Sequence, residues 1–178
     1  MRHKFLFLAL VCISYVGAGA FDGSAQYFQS SPITDVSITD IQQPIPNFTF
    51  YSVREKKPHH IMDFKKKTVI IGFWASWCRS CRHEFRILSD MAKAHPDKMV
   101  LVMVSEDNDE DRALDLSRSF PHLHNIYVTW DRRRAVQNFF QAFRYPETII
   151  IAPGGQAQRK IMGGISHDDE QVIAAALH

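Results

Sequence analysis

Residues Thr68–Trp74 read Thr-Val-Ile-Ile-Gly-Phe-Trp, an almost unbroken apolar run without a charge. A strand with water on one side alternates polar and apolar side chains, whereas a run without alternation is buried on both faces. Such a strand needs cover above and below, and helices alternating with strands supply it. Lys65, Lys66 and Lys67 stand just before the run. They are read as its solvated start rather than as a binding patch.

The remaining pattern agrees. From Cys78 onward, Phe85, Leu88, Met91 and Ala92 recur at helical spacing. That helix ends near Pro96, because proline disfavours helix in the residue before it. Met99–Ser105 predicts a second buried strand, 109–120 an amphipathic helix, Ile126–Trp130 a short strand and 135–143 a third helix. Tyr145-Pro146 stops that helix. A strand follows over 148–152, then a hairpin turn at Pro153-Gly154-Gly155 and a partner strand over 158–162. After Gly163-Gly164, Ser166 caps a last helix over 168–177. A short strand over 48–52 and a polar, charged turn over 55–60 precede the series. The order β–α–β–α–β–α–β–β–α predicts an α/β domain, its sheet mostly parallel with an antiparallel edge.

The N-terminus reads as an address. Arg2 and Lys4 precede a charge-free run over 5–20 that ends in Ala18-Gly19-Ala20. The run falls short of the roughly 20 residues that span a bilayer, so residues 1–20 are read as a cleaved secretory signal in preference to a membrane anchor. Residues 21–43 are rich in Ser, Gln, Asp and Thr and read as a tether. The domain then runs over 44–178. Without Arg2 and Lys4 the chain carries 19 basic and 19 acidic side chains, so no basic field exists to gather nucleic acid. Export implies a compartment where disulfides persist.

Cys12 lies in the address, which leaves Cys78 and Cys81 in the mature chain. Both stand where the strand Thr68–Trp74 gives way to a helix. A thiolate at a helix N-terminus faces unpaired N–H groups and the positive end of the helix dipole, which lower its pKa. Cys78 is expected to be the more exposed, attacking sulfur and Cys81 the resolving one. Two rivals remain. A structural disulfide would close so short a loop that it stabilises by only about 2 kcal/mol. A zinc site needs four ligands, for which only loop histidines, His59-His60 and His122-x-His124, stand ready.

Neighbouring residues each carry two readings. Arg79 either stabilises the Cys78 thiolate or points into water. Glu84, three residues after Cys81, either exchanges a proton with it or is an exposed helix glutamate. Trp77 offers a partner a flat apolar contact. Tyr145-Pro146 can be cis and present backbone to an incoming peptide, although residues alone favour a trans turn.

Phe73-Trp74-Ala75-Ser76-Trp77-Cys78-x-x-Cys81, the downstream Tyr145-Pro146-Glu147-Thr148 and the closing Gly163-Gly164-Ile165-Ser166 together resemble the thioredoxin fold. In detail they are similar to exported thiol:disulfide interchange proteins of the TlpA and DsbE type. Cys81-Arg82-His83-Glu84 resembles that branch's Cys-x-x-Glu. The resemblance implies a central mixed sheet with helices on both faces and a cis Pro146 facing the dithiol. It further implies that Glu84 and Glu147 tune the site, with Trp77, Arg79 and Tyr145 lining the substrate groove. Members act on protein thiols or disulfides without a cofactor or resident metal. They are usually periplasmic reductants supplied by a membrane electron donor, some serving cytochrome c maturation and others copper-site assembly.

The chain departs from the pattern in four places. Gly72 replaces a buried aspartate common in cytoplasmic thioredoxins. Arg86 stands where a helix-kinking proline is common, and no proline lies between the cysteines. Gln141-Ala142-Phe143-Arg144-Tyr145 replaces a Gly-rich lead to the proline. The expectation is an exported disulfide oxidoreductase, membrane-anchored if residues 1–20 stay uncleaved, and more a reductant than an oxidant. The rival is a copper handler that binds Cu(I) through Cys78 and Cys81.

Overall fold

The structure, a computed structural model, describes residues 37–45 and 47–178. The expected signal over 1–20 lies outside them. The strands are β1 (Ser37–Pro44), β2 (Thr49–Ser52), β3 (Lys57–His60), β4 (Thr68–Trp74), β5 (Met99–Ser105), β6 (Ile126–Trp130), β7 (Glu147–Ala152) and β8 (Gln156–Met162). The α-helices are α1 (Arg79–Ala94), α2 (Glu110–Ser117), α3 (Ala135–Phe140) and α4 (His167–Ala175). One eight-stranded sheet has the order β1-β8-β7-β4-β5-β6-β2-β3. β4, β5 and β6 run parallel, and β7, β8 and β1 add antiparallel neighbours.

Side-chain parity divides the core. Ile70, Trp74, Leu101, Met103 and Ile150 face α1 and α4, meeting Phe85, Leu88 and Ile173. Val69, Ile71, Phe73, Val102 and Ile149 point the other way, toward Phe50, Ile61 and Phe140 of α3. Helices thus cover both faces, as the apolar β4 demanded. At Gly72 an added Cβ would lie 3.2 Å from the Phe85 ring. The ring fills the space on which an acidic side chain at this position would stand.

Four expectations need correction. The tether does not extend to residue 43, because Ser37–Pro44 pairs with β8. Part of the polar turn over 55–60 is strand β3, an edge strand that tolerates Pro58 because it pairs only with β2. The closing hairpin is not the edge of the sheet: β7 lies between β4 and β8, and β8 between β7 and β1. α3 stops at Phe140, where Gln141 turns left-handed with φ 52°. There Lys160 Nζ donates to the carbonyls of Phe140 at 3.2 Å and Gln141 at 2.6 Å, occupying helix-end acceptors that would otherwise lack partners.

Candidate active site

The turn between β4 and α1 is tied to the end of β5. Ser76 donates its N–H to both Asp107 carboxylate oxygens, at 3.1 and 2.9 Å, and its hydroxyl to one of them at 2.8 Å. Ser105 Oγ donates to the same carboxylate at 2.9 Å. The N–H of Glu106 reaches the Trp74 carbonyl at 2.8 Å. The turn closes with the Cys78 N–H on the Ala75 carbonyl at 2.9 Å.

So placed, Cys78 caps α1: its sulfur accepts the Cys81 N–H at 3.2 Å. Cys78 and Cys81 form a disulfide. Cys78 is 5% exposed and Cys81 fully buried. The expected order of accessibility holds, but Cys78 offers a narrow edge rather than an open sulfur. Arg79 is exposed at the first helical position and forms no ion pair among the described residues.

Glu84 is one turn beyond Cys81 on the buried side of α1, only 1% exposed. Its Oε1 accepts the Thr148 hydroxyl at 2.5 Å, while Oε2 has no partner among the described residues. Burial drives its pKa up to about 7, against the pull of the Thr148 hydrogen bond. Thr148 is paired with Gly72 in the sheet. The helix therefore delivers an acid to a face where the strand has no room for one.

The Tyr145-Pro146 bond is cis, as the resemblance implied and the residues alone did not. Tyr145 lies beside the dithiol turn, its ring 5.8 Å from that of Trp77. Trp77 is 70% exposed. The Tyr145 hydroxyl accepts Gln137 Nε2 at 2.7 Å, and burial pushes its pKa up to about 12. Glu147 is separated from this group. It pairs with Phe73 where Thr148 pairs with Gly72, so its side chain takes the opposite face of the sheet. There its carboxylate accepts the Arg144 N–H at 3.1 Å and lies 3.0 Å from Lys160 Nζ.

The structure thus gathers Cys78, Cys81, Glu84, Trp77, Tyr145 and Pro146 and sets Glu147 behind the sheet. The histidines are elsewhere. His59, in edge strand β3, packs among Phe50, Phe64 and Tyr127. His122 and His124 lie before β6, at the opposite end of the parallel strands from the dithiol. Sequence reasoning missed Asp107, Glu106, Arg134 and Gln137. A signal existed for the first two, since sites in α/β sheets gather beyond the carboxyl ends of parallel strands, and Glu106-Asp107 follow β5 directly.

Over residues 66–157 the sequence matches the thioredoxin-like family. It is 25% identical over 175 residues to the thiol-disulfide oxidoreductase ResA of Oceanobacillus iheyensis, covering 94% of this chain and 85% of that protein. It is 26% identical over 132 residues to the thioredoxin-like protein YneN of Bacillus subtilis, 74% of this chain and 76% of that one. A crystal structure of a thiol:disulfide interchange protein DsbE from Chlorobium tepidum superposes with a TM-score of 0.69 at 23% identity, over 80% of this chain and all of that one.

Proposed function

The chain belongs to the thioredoxin-like family, and on that premise we propose that it is a thiol:disulfide oxidoreductase that reduces disulfides of exported proteins. The supporting observation is the pairing of a helix-capping Cys78 with a buried Cys81 one turn inward. In the reduced protein the Cys78 thiolate attacks one sulfur of a substrate disulfide. That S–S bond breaks, one substrate thiolate leaves, and a mixed disulfide remains. Cys81 then gives up its proton and attacks Cys78 Sγ. The second substrate thiolate leaves, and the Cys78–Cys81 disulfide forms. Two electrons have passed to the substrate. A membrane dithiol donor returns them.

Glu84 supports the reducing direction. A carboxylate beside a buried thiol disfavours its thiolate and so withdraws stability from the reduced form, which makes a better donor. Held near pKa 7, it can also accept the proton that Cys81 loses. Arg79 pulls the other way by favouring the Cys78 thiolate, but it is exposed to water. Apocytochrome c before haem attachment is the substrate class that the resemblance offers, and residues 1–20 as signal or anchor set the compartment outside the cytoplasmic membrane.

Two measurements test the reading. Equilibration with glutathione is expected to give a potential near the roughly −270 mV of thioredoxin, and one near about −120 mV, typical of a strong oxidant, overturns the direction. Cys81→Ala is expected to accumulate mixed disulfides through Cys78 in the native compartment, identified by mass spectrometry. Partners that persist in Cys78→Ser would remove the assigned nucleophile.

A further inference from the structure

Glu106 is the first residue after β5, and its side chain is fully buried. Neither carboxylate oxygen has a hydrogen-bond partner among the described residues. Charged neighbours do not meet this need. Arg134 comes no nearer than 4.0 Å and directs its donors to Gln137 Oε1 at 3.2 Å and Asn108 Oδ1 at 3.4 Å. The Asp107 carboxylate already serves Ser76 and Ser105. The Asp131 carboxylate accepts the N–H groups of Ala135, Val136 and Gln137.

Glu106 lines a pocket of about 220 Å³ whose other walls include Trp77, Tyr145, Asn108, Arg112 and Arg134. Trp77 and Tyr145 are the pair that flanks the dithiol, so the pocket adjoins the groove in which a substrate cysteine must lie. A buried acceptor without a donor costs free energy until something supplies one. Burial and the nearby Asp131 hold the Glu106 carboxyl up at about 8. This is the response of a site short of positive charge.

We infer that Glu106 and this pocket form a specificity subsite for a lysine or arginine side chain next to the reactive cysteine of the substrate protein. The inference rests on the exchange reading above and deepens it. An ammonium of three donors, or a guanidinium of five, satisfies both free oxygens. Its stem would lie against the Trp77 and Tyr145 rings, whose faces favour cations. Asp107 and Asp109 add to the negative side of the site, while Arg112 and Arg134 oppose it.

The test uses three disulfide-bonded peptides that differ only beside the cysteine, carrying lysine, norleucine or glutamate, with oxidised glutathione as a substrate too small to reach the pocket. Wild-type protein is expected to favour the lysine peptide over norleucine by about tenfold in kcat/KM at low salt, with glutamate last. The lysine preference should grow as pH rises through about 8, where Glu106 ionises. Glu106→Gln should bring the lysine-to-norleucine ratio to near one and remove its pH dependence. Arg134→Met, which removes the opposing cation, should raise the ratio and reads the same site if the glutamine variant fails to fold. Equal wild-type rates for lysine and norleucine overturn the inference, as does a preference that survives Glu106→Gln. Failure to exchange even with glutathione would instead overturn the oxidoreductase reading.

Discussion

Two buried glutamates, one on each face of the same sheet, meet it at β7 and live by different chemistry. Glu147 sits against Lys160 at 3.0 Å and holds the Arg144 N–H. Glu84 has a hydroxyl from Thr148 and no cation. Both are almost wholly removed from water. A carboxylate held against an ammonium anchors structure. One denied a counter-ion has its pKa driven to about 7 and becomes able to trade a proton near neutral pH. Burial alone does not set a carboxyl's acidity; the neighbour decides.

The largest effect should come from the scaffold side. Lys160→Met leaves the Glu147 carboxylate buried and unpaired and frees two carbonyls at the end of α3, so it should cost about 3–5 kcal/mol in denaturant unfolding. A loss below about 1 kcal/mol would mean that the pair is no anchor and would erase the contrast with Glu84.

The next effect is a pH slope. The unfolded Glu84 carboxyl titrates near 4.5 and the folded one near 7, so between those values the folded protein holds the extra proton. Stability is therefore fully present below about pH 4.5 and falls as pH rises toward 7. It then levels off, the total loss being about 3 kcal/mol. Glu84→Gln should flatten that part of the curve and be the more stable form at pH 8. Parallel curves for the two proteins would show Glu84 to be an ordinary carboxylate.

The smallest effect sharpens the assignment of partners. Thr148→Val removes the one hydroxyl that favours ionised Glu84. It should cost about 1 kcal/mol and move the Glu84 titration further up, read by carboxyl resonances in NMR. An unchanged titration would mean that the hydroxyl contact is unimportant.

Much of this arrangement was legible in the residues. β4, β5 and β6 were read with their observed limits, because strands buried on both faces leave uninterrupted apolar runs. β1 and β3 were not, since edge strands such as Ser37–Pro44 and Lys57–His60 carry polar side chains and a proline and resemble linker. The dithiol announced itself through spacing and its place at a helix start. Glu147, which the resemblance sets at the site, lies behind the sheet because strand alternation sends Glu147 and Thr148 to opposite sides. Glu106, Arg134 and Gln137 come from segments that meet only through the order β4-β5-β6, which no single stretch of chain reveals.

That alternation has a consequence for assembly. Were β7 to slip by one position, Glu147 would land against Glu84 in the dry space beneath the dithiol helix, and the Lys160 ammonium would be left facing a threonine. Two confined like charges and an orphaned ammonium are a far steeper penalty than a displaced methyl group. The lysine–glutamate couple therefore acts as a latch on alignment. It admits a single setting of the strand, and with it a single position for the cis Tyr145-Pro146 turn beside Trp77.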